Sequence, residues 1–176
     1  MKRKTPDLTT QEILSLVVYD GESGNFYWSS TIDSKGVGRG KRGHVKGHVA
    51  SRKAANGYLG VTINSVPVLC HRLAWFLTYG KWPDGDIDHK NGVRTDNRIS
   101  NLRDVPRSIN MQNLRASHSD TESRLLGAYL DKRRGYWYSK IYKNGKTTDL
   151  GSFRTAQEAH QAYLDAKRRI HEGCMI

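Results

Sequence analysis

Within IDHKNGVRTDNRISNLRDVPRSINMQN, residues 87–113, Asp88-His89 is followed thirteen residues later by Asn101 and nine after that by Asn110. That spacing constrains the fold, because it can gather one proton acceptor and two hard oxygen ligands around a single cation. An imidazole with an ordinary pKa near ~6.5 is largely neutral at physiological pH and can take a proton from water. The carboxylate of Asp88 and the amide oxygen of Asn110 suit Mg2+ or Mn2+ over a soft metal. These are the minimal parts for hydrolysing a phosphodiester.

Local signals around the four residues agree with such a centre. Pro83-Asp84-Gly85 is a tight turn, and Asp88 and His89 lie at the end of the short strand after it. Pro106 has a preset φ and no N–H, which suits a first helical turn, so a helix is predicted from there to about Leu114 with Asn110 one turn in. The base then sits on a strand and the last ligand on a rigid helix, as a preorganised site requires. Asp96 and Asn97 fit loop-closing or capping roles. Upstream, Leu69, Leu73, Phe76 and Leu77 recur at helical spacing and Gly80 ends the run; His71, inside it, reads as a buried, hydrogen-bonded support rather than a ligand.

The stretch CHRLAWFLTYGKWPDGDIDHKNGVRTDNRISNLRDVPRSINMQN, residues 70–113, resembles the core of HNH homing-type endonucleases, in the branch whose last motif position is Asn instead of His. DH, then NRISNLR, then N-x-x-N match in order and register. The resemblance implies a ββα-metal core over about residues 70–114, two short strands and a helix holding one divalent ion. It assigns Asp88 and Asn110 as metal ligands and His89 as general base. Asn101 joins the catalytic set by tying the long loop between the strands, so that His89 is held in place. Arg72, Arg94, Arg98 and Arg103 are then expected to position the DNA backbone, a sequence-independent task. The resemblance also implies 5′-phosphate and 3′-hydroxyl ends and a mobile-element or phage-type origin.

The remaining N-terminal sequence is read as small β elements around a helix. Thr9-Thr10-Gln11-Glu12 is a capping-box pattern, with a helix to about Tyr19. Residues 20–24 form a turn that launches a strand at Phe26-Tyr27-Trp28. Residues 58–63 and 66–69 alternate as a hairpin around Asn64-Ser65. Residues 31–53, centred on GVGRGKRGHVKGH, are too polar to order without a partner. They are either an arm that tracks DNA, with Lys35, Arg39, Lys41 and Arg42 on phosphates, or a solvated hairpin tip.

After a polar linker at residues 116–123 a second unit begins. Residues 127–130, 136–142 and 146–150 are predicted strands, with Lys143-Asn144-Gly145 as a hairpin signal. A capping box at Thr155 and Glu158 opens a helix whose Ala159, Ala162, Tyr163, Ala166 and Ile170 share one face before Gly173. Over residues 124–173 this unit resembles the AP2 DNA-binding domain, through GYWYSKIYKNGK and LGSFRTAQEAHQAYLDAKRRIHEG. In that family the sheet face opposite the helix enters the major groove. Alternation sends Trp137, Ser139 and Ile141 toward the helix and Tyr136, Tyr138, Lys140 and Tyr142 outward. Lys132, Arg133, Tyr138, Lys140 and Tyr142 are the candidate DNA contacts; a face used for dimerisation is the other reading. Plant relatives use arginines where this chain has tyrosines, so no base preference carries over.

Composition agrees with a polyanion partner. The net charge is +12, with 18 basic against 10 acidic residues in 1–119 and 11 against 7 in 120–176, so both parts are basic. The two cysteines, Cys70 and Cys174, form no C-x-x-C pair, so a catalytic Mg2+ or Mn2+ is expected and a structural zinc is not. Basic MKRK precedes a short apolar run, but Asp7 and Glu12 interrupt it, which argues against a signal peptide. The expectation is an α+β protein of three parts: residues 1–115 catalytic, 116–123 linker, 124–173 for target binding. It would act as a monomer on double-stranded DNA, without a membrane or small-molecule cofactor, in the cytoplasm of a bacterial or phage-infected cell. The rivals are a catalytically inactive DNA-binding regulator on the same scaffold and an RNA-directed nuclease. Asp88, His89, Asn101 and Asn110 all being present favours activity, since a decayed site should lose at least one.

Overall fold

A reciprocal cap starts the first helix: the Thr9 hydroxyl accepts from the Glu12 N–H at 3.2 Å while the Thr9 N–H donates to the Glu12 carboxylate at 2.8 Å. The pair satisfies amides that a helix start leaves open. The computed structural model describes residues 8–29, 47, 50–115 and 122–175. Lys35, Arg39, Lys41 and Arg42 lie outside the described residues, as does most of the linker at 116–123. The chain divides into two compact units, residues 1–105 and 106–176. Among the described residues it is a mixed α/β architecture of four α-helices and four small sheets. No described helix is long and apolar enough to cross a membrane.

In the first unit α1 covers Thr10–Leu16 and stops short of the predicted Tyr19. Val17 and Val18 are β-branched, which favours extended backbone, and they have a strand to pair with. Thus β1 (Val17–Asp20) runs antiparallel to β2 (Asn25–Trp28), with Val17 opposite Trp28. A second sheet is ordered β3 (Arg52–Lys53), β4 (Leu59–Ile63), β5 (Val66–Leu69). Its β4–β5 hairpin turns at Asn64 and Ser65, both at positive φ (45° and 68°), the twist that two-residue hairpins require. Then α2 (Cys70–Tyr79) begins directly and ends at left-handed Gly80. Ile13, Phe26, Val61, Ile63, Leu73 and Phe76 fill the core, and Ile87 and Leu102 join it from a third, two-stranded sheet. That sheet pairs β6 (Asp86–His89) with β7 (Leu102–Val105).

The second unit opens with α3 (Arg107–Gln112), for which Pro106 serves as the cap residue, outside the helix; it ends before the predicted Leu114. The Gly173 N–H donates to Gln112 Oε1 at 2.8 Å, and a Cβ on Gly173 would lie 2.3 Å from the Ile109 carbonyl oxygen. Lys167 donates to the Leu114 carbonyl. The sheet is ordered β10 (Lys146–Phe153), β9 (Tyr136–Lys143), β8 (Tyr129–Asp131). A bulge between Asp149 and Gly151 lets β10 run past Leu150, where its predicted end lay. Helix α4 (Ala156–Ile170) packs on one face through Ala156 and Ala159, against Ala128, Leu125, Trp137 and Phe153. Ser139 and Ile141 are buried while Lys140 and Tyr142 are exposed, the alternation expected of β9.

Gly127 and Gly135 separate backbone strain from steric exclusion. Both have positive φ (76° and 72°), but a Cβ on Gly127 would lie 2.1 Å from Tyr163 Cγ, whereas nothing lies within 4 Å at Gly135. Gly135→Ala is expected to cost about 1 kcal/mol of stability, for the left-handed backbone alone. Gly127→Ala should cost roughly 3 kcal/mol or more, since Tyr163 must also move. Urea unfolding of the two variants measures the difference; equal costs would contradict the Tyr163 packing.

Candidate active site

All four residues of β6 are buried, although three are polar. Buried charge is tolerated only with partners, and the strand pairing supplies one. Asp88 stands opposite Arg103 in the ladder, and the Arg103 Nε and Nη2 lie 2.8 and 2.7 Å from Asp88 Oδ2. The turn before β6 is pinned from two sides. Asp104 accepts the Asp84 and Gly85 N–H groups, each at 2.8 Å, and Arg72 donates to the Gly85 and Pro83 carbonyls at 3.3 and 3.4 Å. A Cβ on Gly85 would lie 2.3 Å from the Val105 oxygen, so only glycine lets the turn close there.

Residues 90–101, between the strands, have little apolar surface and are held by polar bonds instead. The Asn101 side-chain N–H donates to Asn91 Oδ1 at 3.0 Å and to the Asp96 carbonyl at 2.8 Å, while its Oδ1 accepts the Asn91 N–H at 3.0 Å. Asn91 in turn donates to the Asp96 carboxylate at 2.7 Å. Arg98 clasps that carboxylate through Nε at 2.8 Å and Nη2 at 2.6 Å, and this bond most of all holds Asp96 down at about 2, from 3.8.

His89 is buried in the pocket this loop makes. Its Nε2 is 3.2 Å from Asn97 Oδ1. An amide oxygen can only accept, so the neutral ring that makes this bond carries its proton on Nε2 and presents Nδ1 as the basic nitrogen. Burial lowers the His89 pKa below its ordinary 6.5, against the opposing pull of the Asn97 bond and the Asp88 and Asp96 carboxylates. The His71 ring meets His89 edge-on at 5.3 Å, and Tyr58 packs 5.0 Å from His71 and 5.8 Å from His89. Asn97 is itself fixed, because the Tyr19 hydroxyl donates to its carbonyl at 2.7 Å. A Cβ on Gly24 would come within 2.7 Å of the Asn97 carbonyl carbon, so the β1–β2 hairpin packs tightly on the loop.

Residues 68–112 match the protein-family model described as HNH endonuclease. That segment is an HNH endonuclease domain. No curated protein and no solved structure matches the chain.

Within the HNH domain, Asp88, His89, Asn101 and Arg103 come together at β6, β7 and their loop, whereas Asn110 stands on α3 in the second unit. Arg72 is buried on turn carbonyls, Arg98 is on Asp96, and Arg94 donates to the Asn56 carbonyl at 2.8 Å with its guanidinium 5.1 Å from the Tyr58 ring centre. Elsewhere in the second unit, Tyr129 and Tyr138 stack at 5.5 Å, and Lys140 Nζ lies 5.7 and 5.8 Å from their ring centres. Tyr142 is exposed beyond them; Lys132 pairs with Glu122 at 2.7 Å, and the Arg133 N–H donates to Asp131. Sequence reading assigned no catalytic part to Asn97, Tyr58 or Tyr19. An Asn in a polar loop carries no signal of which side chain it will reach, and Tyr19 falls at the end of the helix that the sequence predicts.

Two measurements probe this arrangement. The 15N shifts of the neutral His89 ring should show Nε2 protonated and Nδ1 bare in the wild type, with the preference lost in Asn97→Ala; an Nδ1-protonated ring would contradict the geometry. Because the folded pKa of Asp96 is depressed, its stabilisation is complete above its ordinary pKa and is lost as pH falls through about 2. Asp96→Asn should therefore cost on the order of 2 kcal/mol near neutral pH and almost nothing near pH 2, as read by denaturant melts across that range.

Proposed function

We propose that the chain is a metal-dependent homing-type HNH endonuclease that hydrolyses phosphodiester bonds of duplex DNA. The observation that carries this reading is His89: a buried ring, bonded at Nε2 by Asn97 and next along β6 to the buried Asp88, inside the matched HNH domain. His89 takes a proton from the water that attacks phosphorus, and Asn101 keeps the loop closed around it. A general base held this way contributes typically 10²–10⁴-fold to the rate.

The donor chemistry fits a hard divalent ion. Asp88 is a buried carboxylate that already has a cation, Arg103, on one oxygen. Among the described residues no three His, Cys, Asp or Glu side chains gather into a metal cage. Mg2+ needs none, since it keeps most of its waters and takes one or two protein oxygens with substrate phosphate. Asp88 and Asn110 are the proposed holders. When bound, Mg2+ or Mn2+ would offset charge on the phosphate and on the departing 3′ oxygen, leaving 5′-phosphate and 3′-hydroxyl ends. Residues 1–115 are proposed as the catalytic region with a ββα-metal core over about 70–114, and residues 124–173 as an AP2-like unit for target binding. The stacked Tyr129 and Tyr138 with Lys140 beside both rings, on the sheet face opposite α4, support a nucleic-acid contact there. Arg94, Arg98 and Arg103 are proposed at the phosphates.

Supercoiled plasmid incubated with the full chain and Mg2+ should be nicked or linearised, and chelator should stop the reaction. His89→Ala should lose at least 10²-fold in rate while binding duplex within a few-fold of the wild type, since a general base acts mainly in the transition state. Binding without any cutting, in wild type and variant alike, would favour the inactive regulator instead. Tyr138→Ala should weaken specific duplex binding by about tenfold if each stacked or groove contact contributes ~1–3 kcal/mol; unchanged affinity would remove the sheet face from the DNA contact.

A further inference from the structure

If a divalent ion binds Asp88, that one carboxylate has two cations against it, the ion and Arg103. Both guanidinium nitrogens that reach Asp88 converge on the same oxygen, Oδ2, at 2.8 and 2.7 Å. The side chains are 8% and 20% exposed, so water screens the pair poorly. In that setting a cation held against the carboxylate offsets the cost of burying its charge. A divalent ion on the same carboxylate would sit within a few ångströms of the guanidinium, and two cations that close repel strongly. Arg103 meanwhile has a planar fork that fits a phosphate as well as a carboxylate. Arg103 lies on β7 opposite Asp88, so only its side chain has to turn.

We propose that Arg103 is an exchangeable internal counter-cation: it neutralises Asp88 in the ion-free protein, yields the carboxylate to a divalent ion, and carries its guanidinium to the phosphate being cut. The inference rests on Asp88 being a metal ligand. It makes metal and DNA binding cooperative, because phosphate offers Arg103 a new partner when it leaves the old one, and such coupling is reciprocal.

Free Mn2+ measured by electron paramagnetic resonance gives metal affinity without any turnover. In the absence of DNA, Arg103→Met should bind Mn2+ about tenfold tighter than the wild type, since a competing charge is gone. Adding a phosphorothioate duplex should narrow that gap by tightening the wild type. Equal or weaker binding by Arg103→Met, with Asp88→Asn binding lost, overturns the exchange while leaving the ligand role standing. Asp88→Asn binding Mn2+ as well as the wild type overturns the ligand role itself. A second readout needs no variant: in the wild type, the Arg103 Nε–H resonance should shift and exchange faster with solvent as Mg2+ saturates the site. A resonance that Mg2+ leaves unchanged overturns the exchange whatever the variants do.

Discussion

The side-chain amide of Asn101 is the bond on which the rest of the site depends. Residues 90–101 bring little apolar surface, so burial alone cannot offset the cost of ordering them, roughly 1–2 kcal/mol of backbone entropy per residue. Asn101 spends both ends of its amide on the far side of the loop, on Asn91 and the Asp96 carbonyl. Asn91 and Arg98 then converge on the Asp96 carboxylate. With that network closed, Asn97 faces His89 and the base has one orientation. The bonds of such a polar network support one another, so loss of one amide should loosen the whole loop.

The two faces of β6 then divide the work. Ile87 reaches the core with Leu102, which anchors the strand, and His89 follows on the same side into the pocket of Tyr58 and His71. Asp88, pointing the other way, meets Arg103. A period of two thus places base and carboxylate on adjacent residues with different surroundings. The chain is strongly basic, yet the arginines nearest the site are engaged within the fold, Arg72 on carbonyls, Arg98 on Asp96 and Arg103 on Asp88. Net charge speaks to the partner, while these pairs speak to the architecture.

What could be read from sequence was local and periodic. Two capping boxes, the Asn64-Ser65 and Asn144-Gly145 turns, Gly80 at the end of α2 and the alternation along β9 rest on nearest-neighbour chemistry, and the structure has them where the sequence places them. The boundary of α1 was not legible, since Val17 and Val18 suit either a helix or a strand until Trp28 and Tyr27 are alongside. Within the site, Asp88 and His89 were marked by residue type and spacing. Asn97 was not, because its contact with His89 is made only after the loop folds and Tyr19 and Gly24 press on it from the β1–β2 hairpin. Arg103 was legible as a cation, but its pairing with Asp88 depends on the β6–β7 register.

Where a divalent ion binds the intact chain is the most direct question to put to this site. Substoichiometric Mn2+, added to isotope-labelled protein, broadens amide resonances in steep proportion to their closeness to the ion. Broadening that begins at residues 86–91 and 101–104 and spares the turns around Asp131 and Asp149 is the outcome expected if Asp88 is a ligand. Broadening centred on Asp131, Asp149 or another carboxylate, with residues 86–91 left sharp, would contradict a metal-assisted centre at Asp88 and His89.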